Sequence, residues 1–380
     1  MIEIKEVKTK KDILKFAKYP LALYKGCPYY VPSLRGDEID TFNPKKNFNL
    51  NENKIKGFLC YKNGKLVGRI AGLINKKENE LSGEQYIRFS RFECVDDIEV
   101  FNALFKAVAK FGKDNGALIM HGPWGFNDTD REGMLTDGFD VRSTYATNYY
   151  YPYFHKRLNE LGFEDESKWI EWEFTIPKIP YERITKISEK LKAKYDLVDV
   201  SETMSVRKIL KNYGAKVFET MNEAYADLDG YVPIEGKAID NVLKQFATIA
   251  NRRYLSVLVD KKGNVASFAI ALPSIAKPLI KSKGKLLPFG FIGVLRSILK
   301  PKELEMGLIA VKGEYKNTGI NSIMISRIMN NIVEDKIERI ESNPMLEHNL
   351  SIQQQWKFAE SQLIKKRRTY KINIDKFLSK

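Results

Sequence analysis

The feature that most constrains this chain is an internal repeat. Residues 24–32 read YKGCPYYVP and residues 225–233 read YADLDGYVP; Tyr24, Tyr30, Val31 and Pro32 align with Tyr225, Tyr231, Val232 and Pro233 without a gap. Each run follows a helix-like segment. Farther on, GFLCYKNGKLVGRIAGLI (57–74) has its counterpart in YLSVLVDKKGNVASFAIAL (254–272). Both are apolar runs broken by a turn, Asn63-Gly64 in one and Lys262-Gly263-Asn264 in the other, as in β-hairpins. A strand follows in each half, EQYIRFSRFECV (84–95) and LEMGLIAV (304–311). Each strand leads into an amphipathic helix. Phe101, Leu104, Phe105 and Val108 form the apolar face of the first, and Met324, Ile325, Ile328 and Ile332 that of the second. Asp96 and Glu99 have the spacing of a capping box before the first helix. Each helix then leads into a short strand, ALIM (117–120) and the segment near Ile337–Ile340. The order helix–hairpin–strand–helix–strand, written twice, predicts an α/β chain of two similar units. We place them at residues 1–180 and 190–380. Residues 273–301, with KPLIKSKGKLLPFGFIGVL, have no counterpart in the first unit and read as an insertion.

The stretch Leu304–Val333 carries the most chemistry. Between its strand and its helix lies KGEYKNTGIN, with a lysine, small polar residues and Gly319. A strand that runs through such a loop into a helix aims the unpaired first-turn N–H groups, and the positive end of the helix dipole, at whatever sits above it. Gly319 lets a phosphate approach the backbone, and Lys316 adds charge. The loop is neither GxxxxGK[ST] nor GxGxxG.

This stretch resembles motif A of the GNAT acyltransferases, whose pattern is Q/R-x-x-G-x-G/A. It falls here on Lys316-Asn317-Thr318-Gly319-Ile320-Asn321, with the central glycine kept, lysine at the first position and asparagine at the last. The repeated element order is the GNAT order. LYKGCPYYVPSLRGDE, VGRIAGLIN, HGPWGFNDTDREGMLTDGFD, NYYYPYFHKRLNELGF and LLPFG extend the resemblance over nearly the whole chain, to a bacterial group of tandem GNAT proteins described as N-acetyltransferases. It implies two mixed-sheet units in tandem, and transfer of an acetyl or other acyl group from acyl-CoA to an amine. The pyrophosphate would lie on the Lys316, Asn317, Thr318, Gly319, Ile320 and Asn321 loop. The pantetheine arm would lie along the backbone of Ile309, Ala310 and Val311. In the first unit the corresponding junction is Val95-Asp96-Asp97-Ile98-Glu99; three carboxylates stand where an anion needs donors, so that unit reads as degenerate.

Acyl transfer to an amine needs a base, a polarised carbonyl and sometimes an acid for the thiolate. The family's base is in several enzymes a glutamate of the fourth strand, which points to Glu303 or Glu305, and Glu305 is our first choice. Glu341 and Asn343, at the end of the next strand, can face substrate. The family's acid is a tyrosine in N-x-x-A-x-x-x-Y. Aligned on Asn349, that position holds Trp356 and the small-residue position Ile352, so no side chain protonates the thiolate, or another residue such as Tyr315 serves, or the site is inactive. The glycine-rich 121–139 segment, with Asn127 and Asp128, reads as a shaped loop that can bind a polar substrate or simply bond its own backbone. His121 reads as a buried histidine, and Tyr145, Tyr149, Tyr150, Tyr151 and Tyr153 as an aromatic wall beneath that loop.

Composition narrows the partners. The chain has 380 residues, 43% hydrophobic and 29% charged, which suits two soluble units. Cys27, Cys60 and Cys94 form no CxxC pair and the histidines number three, so no metal is expected and a reducing cytoplasm is. No apolar run reaches spanning length, and the N-terminus lacks a signal peptide's apolar segment. The formal net charge of +15 suits a polyanionic small molecule, nucleic acid or an anionic surface. Lysines are spread along the chain, and NYYYPYF lacks the interleaved cations of a base-stacking face, so no specific nucleic-acid partner is expected. The cluster Lys365-Lys366-Arg367-Arg368 reads as a solvated strand edge, with phosphate contact the alternative. Three rivals remain: a non-catalytic acyl-CoA-binding scaffold, an aminoacyl transferase of the FemX type, and a basic protein that binds nucleic acid or a membrane surface non-specifically, which the diffuse lysines do not favour.

Overall fold

The computed structural model describes residues 1–127, 129–179, 182–354 and 360–380. The first half holds β1 (Ile2–Glu6), β2 (Lys54–Lys62), β3 (Lys65–Ile74), β4 (Tyr86–Cys94), β5 (Ile119–Gly122), β6 (Met134–Asp137) and β7 (Glu164–Phe174). The second holds β8 (Val198–Asp199), β9 (Leu255–Val259), β10 (Val265–Pro273), β11 (Glu303–Val311), β12 (Arg339–Ser342), β13 (Met345–Leu346) and β14 (Ser361–Asn373). Both hairpins form where the turn residues require. Asn63 and Gly64 have φ of 51° and 75°, a two-residue turn with both centres left-handed, closing Lys62 onto Lys65.

Two units were expected to give two sheets. They merge into one, in the order β1-β2-β3-β4-β5-β14-β7-β12-β11-β10-β9-β8. The last strand of each half crosses over: β14 pairs with β5 of the first half, β7 pairs with β12 of the second, and β7 and β14 pair with each other. Neither half therefore closes its own sheet. Among the described strands, β4–β5 and β11–β12 are the parallel pairs.

The exchange buries charge. Lys365 and Arg367 are 1% exposed, inside the sheet rather than at a solvated edge. The reason is period-two alternation on a central strand, which sends 365 and 367 to one face and 366 and 368 to the other. Glu171 on β7 faces Lys365 in register, and Glu341 on β12 completes the group. Arg367 donates to Glu171, and Arg339 lies 2.7 Å from Glu341.

Helices cover the sheet. Helix Ile98–Lys113 buries Val100, Phe101, Leu104, Phe105 and Val108, each worth about 1.5–3 kcal/mol over an exposed position. Helix Asn321–Glu334 buries Met324, Ile325, Ile328 and Ile332. The repeated tyrosines occupy matching places: Tyr24 stacks on Tyr30 at 4.4 Å between ring centroids, and Tyr225 meets Tyr231 edge-on at 5.7 Å. The insertion forms two helices, Ala276–Ser282 and Gly290–Leu299.

Candidate active site

Two β-bulges face one cavity. On β11 the register against β10 slips between Ala269 and Ala271, so Met306–Ile309 carries one extra residue. On β4 the register against β3 slips between Arg69 and Ala71, which places the extra residue within Ser90–Glu93. A bulge bends its strand and re-aims its neighbours. Both bulges border a cavity of about 740 Å³ between the halves. Its walls include Tyr30, Asp37, Arg91, Tyr145, Tyr225 and Asn343.

The β11 bulge sits where its strand loses a neighbour. β12 ends at Ser342, and the Asn343 N–H donates to the Met306 carbonyl at 2.9 Å. Beyond that point the Gly307–Val311 edge has no partner strand among the described residues. The Tyr225 hydroxyl stands on this edge: it donates to the Ile309 carbonyl at 3.0 Å and lies 3.3 Å from the Ile309 N–H, which donates to it. A small apolar recess of about 30 Å³, lined by Leu308, Ile309 and Met329 among others, lies beside it. A Cβ on Gly307 would stand 2.9 Å from the Ile270 carbonyl oxygen, so the bulge closes only on a glycine there.

The strand-to-helix junctions differ between halves. In the second, no side chain caps helix Asn321–Glu334, and Asn317 and Gly319 have φ of 63° and 83°. Lys316, Asn317 and Gly319 are exposed. The uncapped N–H groups, the dipole and the open glycine fit a phosphate. In the first half the N-terminus of helix Ile98–Lys113 is already used. Asp97, one residue later than the capping-box spacing suggests, accepts from the Glu99 N–H at 3.0 Å, and Lys62 pairs with both Asp97 and Glu99.

The bulge of the first half is likewise filled. Arg69 lies across it, its Nε donating to Glu93 at 2.6 Å and its Nη1 to Glu38 at 2.6 Å. Burial pushes the Glu38 carboxyl up, but Arg69 and Arg91 outweigh burial and hold it at about 2. Arg91 itself has φ of 47° on a strand, a strained conformation for a non-glycine residue.

The structure brings some expected residues to the cavity and keeps others from it. Asn343 lines the wall, and its Oδ1 is buried with no protein donor among the described residues. Such an atom calls for a ligand or water. Asn127 also lines the wall, but its Oδ1 accepts from the Thr129 N–H and hydroxyl, the local loop bonding that was the alternative. Asp128 and Trp356 lie outside the described residues. Glu305 is not on the wall: its carboxylate accepts from the Ser274 hydroxyl at 2.7 Å and the Tyr145 N–H at 3.2 Å, and burial raises its pKa. Glu303 binds Arg142 and Lys277, so the two glutamates clasp the 142–145 loop of the first half. Glu341 is not on the wall either. It is committed to Lys365 and Arg339, and burial pushes it up to about 7 despite those cations. Tyr315 lies on the loop, edge-on to Tyr195, and not at the bulge. His121 is buried between Glu78 at 3.4 Å and Glu166 at 3.3 Å and stacks on Tyr86, the structural place expected.

Sequence reasoning missed Tyr225 and the bulge. Tyr225 was visible as a repeated residue with no role attached. Gly307 inside an otherwise apolar strand was the signal for the bulge.

Among the described residues, no group of three His, Cys, Asp or Glu side chains could hold a metal ion. No helix there is long and apolar enough to cross a membrane. No family model matches the chain. It is 23% identical over 384 residues to Protein YghO of Escherichia coli, covering 96% of this chain and 94% of that one. It is 24% identical over 323 residues to a bacterial ceramide synthase of Caulobacter vibrioides, covering 82% of this chain and 79% of that one. Among solved structures it resembles a tandem GNAT protein from the clavulanic acid biosynthesis pathway (TM-score 0.55, 11% identity, 98% of this chain and 99% of that one). It also resembles a conserved protein of Enterococcus faecalis (TM-score 0.52, 8% identity, 99% and 73%).

Proposed function

We propose that this chain, which has the tandem GNAT fold, is an N-acyltransferase that moves an acyl group from acyl-CoA to an amine. The observation that carries the reading is the order along one segment: the Met306–Ile309 bulge lines the cavity, the Ile309–Val311 edge that follows has no partner strand among the described residues, and the uncapped Lys316–Asn321 loop comes next. The loop N–H groups would hold the pyrophosphate and the strand edge the pantetheine amides. Bound there, acyl-CoA supplies the activated acyl group. Asn343 offers its unpartnered Oδ1 to the amine as a hydrogen-bond acceptor. Tyr225, at the bulge, is in place to give a proton to a departing thiolate. Asn127 and Asp128 belong to the loop we assign to the acceptor side. Glu305 and Glu341 were the carboxylates expected to act as base; Glu305 acts here by fixing Tyr145 and the cavity wall, and Glu341 by pairing with Lys365.

The name of the Caulobacter relative favours a large acyl group, because a ceramide is a fatty amide. A mixed polar and apolar cavity of about 740 Å³ has room for a chain longer than acetyl. The test is calorimetric titration of CoA, acetyl-CoA and palmitoyl-CoA into the wild type and Gly319→Glu, followed by CoA release with an amine panel. Binding that the substitution removes, with amine-dependent CoA release, supports the reading. Binding without release leaves a scaffold, and no binding by a folded wild type refutes both.

A further inference from the structure

The insertion has a surface that acyl transfer does not use. Helix Gly290–Leu299 has no buried residue. Its Val294 and Ile298 turn inward against the core that contains Ala276 and Leu279. The adjoining face carries Phe291, Ile292, Leu295 and Leu299, which are 45%, 53%, 50% and 67% exposed. The spacing i, i+1, i+4, i+8 puts these four on one side of the helix. At the preceding turn Leu287 and Phe289 are 77% and 75% exposed. Large apolar side chains at this density form a patch, not scattered surface residues.

Charge identifies what covers the patch. Between Ala276 and Lys300 there are six basic residues (Lys277, Lys281, Lys283, Lys285, Arg296 and Lys300), and no acidic residue lies between Asp260 and Glu303. Lys277 pairs with Glu303; Lys281, Lys283, Lys285, Arg296 and Lys300 are exposed. Two copies of such a face would repel. An anionic partner with an apolar interior would take both the lysines and the leucines. We propose that this insertion docks the protein on an anionic lipid surface, helix Gly290–Leu299 lying in the plane of the headgroups. The element is held firmly enough to act as a mount. The Arg35 N–H donates to the Gly284 carbonyl at 2.9 Å, and the Asn251 side chain donates to the Ile298 carbonyl at 2.9 Å. A Cβ on Gly284 would stand 2.2 Å from the Ser33 carbonyl oxygen. Docking brings the cavity to the lipid, because Ile275 and Lys283 at the base of the insertion line it.

The test is co-sedimentation of the full chain with vesicles of phosphatidylethanolamine and phosphatidylglycerol, against vesicles of phosphatidylcholine alone. The expected result is partition to the anionic vesicles that weakens with salt, and that falls at least about tenfold in Leu295→Glu/Leu299→Glu. Leu81→Glu, at an exposed leucine elsewhere, should partition like the wild type. Circular dichroism checks that the double variant is folded. A wild type that stays in the supernatant, or a double variant that sediments equally, overturns the proposal. So does a wild type that dimerises through this face, seen by light scattering as a mass the double variant halves. Partition is read without CoA or turnover, so failure here and failure of the acyl-transfer reading are separate results.

Discussion

Glu341→Gln tests the buried charge group that joins the halves. In the native protein Glu341 is 1% exposed, with Lys365 and Arg339 as cations and Glu171 as a second carboxylate nearby. Burial and Glu171 outweigh the cations, and the carboxyl titrates at about 7 instead of the usual 4.5. At 1.36 kcal/mol per pH unit this difference is about 3 kcal/mol. The folded chain keeps a proton on Glu341 that the unfolded chain has released between pH 4.5 and 7. Stability must therefore fall through that window and level off above it. Glutamine has no proton to release and still accepts from Lys365. The variant should match the wild type near pH 4.5 and exceed it by about 3 kcal/mol at pH 8. Urea unfolding at pH 5, 6, 7 and 8, read as the difference between the two proteins, cancels other titrating groups. A difference that does not change with pH, or a variant that loses ground at pH 8, would refute the reasoning, because the Lys365 pair would then be a net gain to the charged form. Full CoA release by the variant would also separate Glu341 from the chemistry.

Three further outcomes follow from the same geometry. Gly319→Glu puts a side chain at a φ of 83°, costing about 1–2 kcal/mol in stability, and places a carboxylate where the pyrophosphate would sit; calorimetry should show CoA affinity reduced at least about tenfold. Tyr225→Phe removes the hydroxyl from the Ile309 edge. Amine-dependent CoA release should drop about a hundredfold while the CoA dissociation constant changes by no more than about twofold; an unchanged rate would exclude Tyr225 as the acid. Arg69→Met takes the guanidinium from buried Glu93 and leaves buried Glu38 with Arg91 at 3.4 Å. Urea unfolding at pH 7 should show a loss of about 3–5 kcal/mol. Because Arg69 holds Glu38 at about 2, the pair stabilises the fold above the ordinary carboxylate range, and that benefit fades as pH falls from about 4.5 toward 2.

What the sequence told, it told through short-range regularity. The Asn63-Gly64 turn, the apolar faces of helices Ile98–Lys113 and Asn321–Glu334, and the paired Tyr24 and Tyr225 runs each depend on a few neighbouring residues. The GNAT resemblance led from these to the loop at Gly319. What stayed hidden depends on contacts distant in sequence. Lys365 and Arg367 look like solvent residues until Glu171, from the other half of the chain, is laid beside them. Alternation could show that β14 was a strand; it could not show which half it would complete. Glu305 and Glu341 had the right type and strand, yet each spends its lone pairs on structure. Only the packed fold shows that Asn343 has an acceptor to spare and that Tyr225 reaches the bulge.

The two bulges explain why one fold, repeated, need not act twice. By position along the bulge Glu93 corresponds to Ile309, and Arg91 to Gly307. In the second half those residues are apolar or without a side chain, so no ion pair fills the bulge and the Tyr225 hydroxyl stands on the edge instead, next to an uncapped helix. In the first half Glu93 takes Arg69, Arg69 takes Glu38, and Asp97 caps the helix. The Glu99 N–H at the helix start and the Arg69 guanidinium in the bulge already serve carboxylates of the chain. Filling one bulge with charge also gives the shared cavity a polar wall opposite the open edge. On the function proposed above, the second half is the carrier side and the first half the acceptor side, with the exchanged strands β7 and β14 pairing between them.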